Sequence, residues 1–346
     1  MTTALAERRK KRALSFVIAA VAAAAVAATT IAIEVRSSRP DRVVGPVFPG
    51  LAEELEQAQK INIVSRDASY RIARIEGGGW AMIDRGDFPV NARRLAQLTD
   101  GLRELVFVRR MSSDPAQHER LGVGDPTQGG SGILVQLENA RGGFIANLIL
   151  GVTREATYAR RPGENQVWAV RGELPPLRDP AAWLELTPLA VQGRDIRRVE
   201  TTPRTGPAYV LERASADADF AFAGAAASRT PISAATLTST AERLTALQPI
   251  DVLPAAAVTG APVASIRATL ASGALIAADF FALENRLWIR LNATGAEGPA
   301  QAAAAQINAR SARWAYALSQ AEFDALAPTL DALTMTSAPA EAPALP

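Results

Sequence analysis

The chain has 346 residues, a formal net charge of +2 and no cysteine. The lack of cysteine excludes disulfides, thiolate metal sites, thiol nucleophiles and a lipid anchor on cysteine. Arg8, Arg9, Lys10, Lys11 and Arg12 gather the positive charge at the start and leave the rest near neutral, which argues against nucleic acid as a partner, because such a binder carries a basic face on its folded domain.

Leu14–Ile33 follows the basic run and contains no charge. A helix of that length, at ~1.5 Å per residue, spans about 30 Å, the hydrocarbon core of a bilayer. Basic flanks stay cytoplasmic. The sequence therefore predicts a cytoplasmic tail over 1–12, a transmembrane helix over 13–33 and an exported remainder. An uncleaved anchor is expected over a cleaved signal peptide, whose apolar region runs only about 7–15 residues.

Residues 34–59 read as a stalk and a short helix, with proline, glycine and charge up to Gly50 and helix formers from Leu51. A strand is predicted at Ile61–Val64. Tyr70–Ile75 and Trp80–Ile83 flank Gly77-Gly78-Gly79, a hairpin signal. Leu95, Leu98, Leu102 and Leu105 recur at helical spacing behind Asn91, a plausible N-cap. A polar loop holds His118 and Leu121-Gly122-Val123-Gly124-Asp125-Pro126. Strands follow at Ile133–Leu137 and Phe144–Leu150, then around Tyr158 and Trp168.

The same programme recurs downstream. Tyr70–Arg74 is echoed by Tyr209–Arg213, Pro89-Val90 by Pro231-Ile232, and Asn91 by Ser233. Leu95, Leu102 and Leu105 meet Leu237, Leu244 and Leu247 at one offset. The hairpin at 133–150 is echoed by 266–283, turning at Ser272-Gly273, and Tyr158-Ala159-Arg160 by Trp288-Ile289-Arg290. Phe220 or Phe222 answers to Trp80. The second copy adds an Ala/Gly-rich insertion near 294–309 and a helix led by the capping box Ser319-x-x-Glu322. The expected fold is α+β: a transmembrane helix, then tandem units over 60–190 and 195–335, each an antiparallel sheet with one or two helices on one face. Residues 336–346 read as a disordered tail.

Taken in order, Phe48-Pro49-Gly50-Leu51, the Tyr…Arg strand with Trp80, the helix after Val90, Leu121-Gly122-x-Gly124-Asp125-Pro126, Leu150-Gly151, Tyr158-Ala159-Arg160 and Val167–Val170 resemble the bacterial family called domain of unknown function 4340. Members are often encoded beside gliding-motility-type ABC transporter components. The resemblance implies an accessory protein of such a system in the bacterial inner membrane, single-pass, with its C-terminal domain in the periplasm. The inner membrane and the transporter's permease or auxiliary subunits would be its partners. It implies no catalytic residues.

The residues themselves give no catalytic, cofactor or metal-binding candidate. His118 lies in a polar loop between Gln117 and Glu119 and reads as solvent-exposed. Asp84 and Asp87 flank Gly86, which reads as a turn. The glycine runs at 77–79 and 129–132 fit no phosphate-loop pattern. The pairs Arg93-Arg94, Arg109-Arg110, Arg160-Arg161 and Arg197-Arg198 read as solvated faces. The functional expectation is a non-enzymatic, membrane-anchored accessory or scaffold subunit. The alternative is an exported module binding a glycan or envelope lipid, with its pocket between the two copies.

Overall fold

The structure is a computed structural model and describes residues 45–153 and 156–335. It is an α+β protein with two antiparallel sheets and few helices. The first sheet is built from β1 (Gly45–Pro46), β2 (Ala58–Val64), β3 (Ser69–Arg74), β4 (Trp80–Met82), β5 (Phe88–Pro89), β6 (Val106–Arg110), β7 (Ile133–Asn139), β8 (Phe144–Val152), β9 (Thr157–Arg160) and β10 (Val167–Arg171). The helices within that stretch are α1 (Leu51–Glu54) and α2 (Ala92–Glu104). The second sheet takes β11 (Ile196–Thr202), β12 (Tyr209–Glu212), β13 (Ala221–Ala223), β14 (Asp251–Pro254), β15 (Ala264–Leu270), β16 (Leu275–Leu283), β17 (Arg286–Thr294) and β18 (Trp314–Leu318). With it go α3 (Ala234–Glu242), α4 (Pro299–Ser311), α5 (Gln320–Leu326) and α6 (Leu330–Leu333).

Local chemistry explains the main elements. The Asn91 side chain accepts from the backbone N–H of Arg93 and Arg94 and starts α2, which buries Leu98 and Leu102. The Ser233 hydroxyl accepts from Thr236 N and starts α3. Gly77 and Gly78, both at positive φ, turn the chain between β3 and β4. In β15 every second residue is buried, the period of a half-covered strand.

The first sheet runs β5-β4-β3-β2-β7-β8-β9-β10-β6-β1 and the second β13-β12-β11-β15-β16-β17-β18-β14. Without its outermost strands β5 and β1, the first sheet places its strands in the same chain-order pattern as the second. Several contacts recur at matching places. Tyr70 Oη donates to Leu177 O (2.9 Å) and Tyr209 Oη to Pro328 O (3.0 Å), in both cases on the segment that follows the last strand. Val90 bridges Leu184, and Pro231 bridges Thr334. The Arg74 guanidinium lies 5.2 Å from the Trp80 ring centroid and that of Arg213 lies 4.7 Å from Phe220, so Phe220 stands where the first sheet has Trp80.

The chain also divides into two compact units that are not simple halves. One comprises the described residues up to Ala58, Ile63–Ser69 and Gln97–Pro175; Leu121, Val123, Leu134, Ile149, Tyr158 and Val167 form a core cluster in it. The other comprises Gln59–Asn62, Tyr70–Ala96 and the chain from Pro176. Within this second unit Arg85 forks onto Asp251 (2.7 and 3.1 Å), and the Phe88 ring meets Trp314 edge-on at 4.9 Å.

Some expectations need correction. Folded structure begins before the stalk boundary: Gly45–Pro46 pairs with β6, and Val47 is fully buried. The insertion near 294–309 is largely the helix α4, whose Asn308 side chain bonds both N–H and C=O of Ala293 at 2.7 Å. At α5 only half of the capping box forms. Ser319 Oγ accepts from Glu322 N, but the Glu322 carboxylate turns to Arg243 and to Gln248 N. Residues 13–33 and 336–346, expected as membrane helix and tail, lie outside the described residues, among which no helix is long and apolar enough to cross a membrane.

Candidate functional site

Two concave sites stand out, each within one unit. The one lined by more polar side chains lies beneath the loop 111–132 that joins β6 to β7. Two Asp-Pro pairs shape that loop. Asp114 accepts from Ala116 N (3.0 Å), and Asp125 Oδ1 accepts from Thr127 N (2.9 Å) and Thr127 Oγ1 (2.7 Å), each setting off a short 3-10 turn. Gly130 N donates to Asp125 O (2.7 Å) and Gly132 N to Gly124 O (2.9 Å), folding the loop onto itself. The approach is so close that a Cβ on Gly130 would overlap the backbone of Gly124 and Asp125, and one on Gly124 would meet the Glu119 carboxylate.

Arg160, the last residue of β9, supports the loop from below. Its side chain is buried; Nε donates to Val123 O (3.1 Å) and Nη1 to Glu164 O (3.0 Å). Burial pushes the guanidinium below the usual arginine range, against the attraction of Asp125. Arg66 clasps the loop from outside, donating from Nε and Nη2 to Gly129 O (3.1 and 2.8 Å), with Glu119 3.8 Å away. His118 Nε2 lies 3.0 Å from Asn165 O; a carbonyl only accepts, so Nε2 carries the proton. The result is a cavity of about 570 Å³ lined by His118, Glu119, Asp125, Gln128, Arg160 and Asn165 with glycine backbone between them.

The second cavity, about 480 Å³, lies between residues 190–195, the turn 271–273 and α4. Asp195, Ser272, Gln306 and Arg310 supply its polar groups, and Leu270 and Ile307 its apolar floor.

The sequence reading named no site residues, and both cavities assemble residues it left unassigned. His118 is half-buried and held by Asn165, not free in solvent. The Arg160-Arg161 pair is not one solvated face: Arg160 is buried and Arg161 exposed. Neighbours in extended chain point to opposite sides, so adjacent arginines there cannot share a face. Asp84 and Asp87 do form a turn: Gly86 and Asp87 take positive φ, and Asp84 receives Arg71 at 2.8 Å. Among the described residues no group of three or more His, Cys, Asp or Glu is placed to hold a metal ion.

Residues 80–263 match the model of a family described only as a domain of unknown function (DUF4340); the match begins in the first sheet and ends just before β15 of the second. No curated protein and no solved structure matches the chain.

Proposed function

The chain belongs to the DUF4340 family, and from that membership we propose that it is a membrane-anchored, non-enzymatic envelope protein, an accessory or scaffold subunit of an ABC-type transport system of the gliding-motility kind. The N-terminal basic run and the uncharged stretch Leu14–Ile33 supply the anchor. The exported part is two copies of one unit. The observation that carries this reading is the shared strand order of the two sheets, with matching tyrosine–carbonyl bonds and matching bridges. Its buried polar side chains serve the framework. Tyr70, Tyr209 and Arg213 are each bonded to backbone carbonyls, which suits a rigid body that presents surfaces to other proteins. Purification of the full chain in mild detergent tests the role: the permease and ATPase subunits should come with it, and their absence under conditions that keep a transporter assembled would refute it. A C-terminal reporter active only when exported tests the topology; cytoplasmic activity would overturn it.

A second reading, an exported module that binds a glycan or an envelope lipid, is favoured by one observation: the polar cavity beneath the loop 111–132.

A further inference from the structure

We propose that the cavity above Arg160 is a binding site for an uncharged, hydroxyl-rich ligand, a short glycan segment. The inference deepens the second reading above and rests on it.

The loop 111–132 joins β6 to β7 in the first sheet. In the second sheet the corresponding connection, from β14 to β15, is the shorter 255–263. That connection delivers Val258 into a cluster with Phe281, Trp288, Ala315 and Ala317. In the first sheet Val123 enters a cluster with Ile149, Tyr158, Val167 and Ala169. The strand arginines correspond as well, Arg160 donating to Val123 O and Arg290 to Val258 O (3.5 Å). A valine plugs the sheet in each case, and for the second sheet the short connection suffices. The additional residues of 111–132 bring Leu121 into the same cluster and add two Asp-Pro turns, a glycine fold and the cavity. They also bury Arg160, whereas Arg290 stays exposed. Burying a guanidinium against neutral carbonyls costs free energy, and here two carbonyls take Nε and Nη1 while Nη2 makes no hydrogen bond among the described residues.

The lining identifies the ligand class. No aliphatic side chain other than Pro115 lines the cavity, which is the wrong surface for an acyl chain. Its charged side chains are Glu119, Asp125 and Arg160, with Arg66 outside the lining 3.8 Å from Glu119. A phosphate or a carboxylate would meet two acidic side chains as well as one cation. What remains open are planar groups that donate and accept. The side-chain amides of Gln128 and Asn165 make no hydrogen bond among the described residues, and His118 offers Nδ1. Such groups match hydroxyls that both donate and accept. About 570 Å³ suits a few sugar rings.

The test uses the full chain in a polyoxyethylene detergent, since glycoside detergents would compete. Cellotetraose, chitotetraose and maltotetraose are the probes, with phosphate and a glucuronate oligomer as charged controls. Calorimetric titration should detect at least one neutral probe. Hydrogen–deuterium exchange should show protection within 115–130 and 160–166. Gln128→Ala with Asn165→Ala, two exposed residues outside the core, should weaken binding about tenfold, the equivalent of ~1.4 kcal/mol. No binding of any neutral probe, tighter binding of a charged control, or unchanged affinity in the double variant would overturn the proposal. Protection at 303–310 instead would keep a ligand-binding module and remove this site. Co-purifying transporter subunits bear on the scaffold reading alone.

Discussion

Tyr70 and Tyr209 commit their hydroxyls to main-chain carbonyls, and burial decides how they titrate. Desolvation pushes the Tyr209 phenol up to about 12 and raises Tyr70 and Tyr316 as well. The folded chain therefore keeps protons that the unfolded chain releases near pH ~10. The stability these groups carry is full below that pH and falls as pH rises towards the folded value. In an alkaline titration the phenolate absorbance of these three of the four tyrosines should appear together with loss of far-ultraviolet circular dichroism. A smooth titration near pH ~10 with structure intact would contradict this. Arg213 is the other buried polar anchor. It donates to Ile196 O, Gly193 O and Glu242, and it covers Phe220. Arg213→Ala strands those acceptors and should cost about 3 kcal/mol in urea unfolding; a change below about 0.5 kcal/mol would assign it to the surface class.

Helix α2 shows how a favourable substitution by propensity can fail by packing. Gly101 lies mid-helix, where alanine ordinarily gains ~1 kcal/mol. A Cβ there would meet the Glu173 carbonyl oxygen, so Gly101→Ala should destabilise by about 2 kcal/mol in urea unfolding. Asn91→Ala, which removes the cap, should cost about 1 kcal/mol; a gain in either variant would refute its argument. The same helix was legible in the sequence because its leucines repeat at 3.6 and Asn91 marks its start. The hairpins were legible through glycine and alternation. Helix α4 was not, because it buries Ala300, Ala304, Ile307 and Ser311, a face of mostly small residues that leaves a weak apolar stripe. The cavity was not legible either. Arg160 meets Val123 across a separation of 37 residues, and nothing local marks that meeting. The Ser319 cap was half-read, since Glu322 has a stronger partner in Arg243 than in its own helix start.

For the whole molecule, the strands of the first sheet lie within 45–171 and those of the second within 196–318. Compactness does not follow that division, since residues 70–96 pack with the chain from 176 onward. Residues 195–335 made alone would lose the Arg85 fork on Asp251 and the Phe88 edge on Trp314 and Tyr316. That fragment should unfold at lower urea than the chain from residue 34 onward, and residues 34–194 supplied in trans should restore it; equal midpoints would show these contacts to be dispensable. The closing bonds of each sheet have a further consequence for synthesis. The first sheet is tied by Leu177 and Leu184, which are made before any strand of the second. The second is tied by Pro328 and Thr334, which follow the last strand of that sheet. A chain growing from its N-terminus can therefore lock its first half while still on the ribosome. The second half must wait until residues 328–334 have been made, and a stop a dozen codons before residue 335 would leave it unlocked.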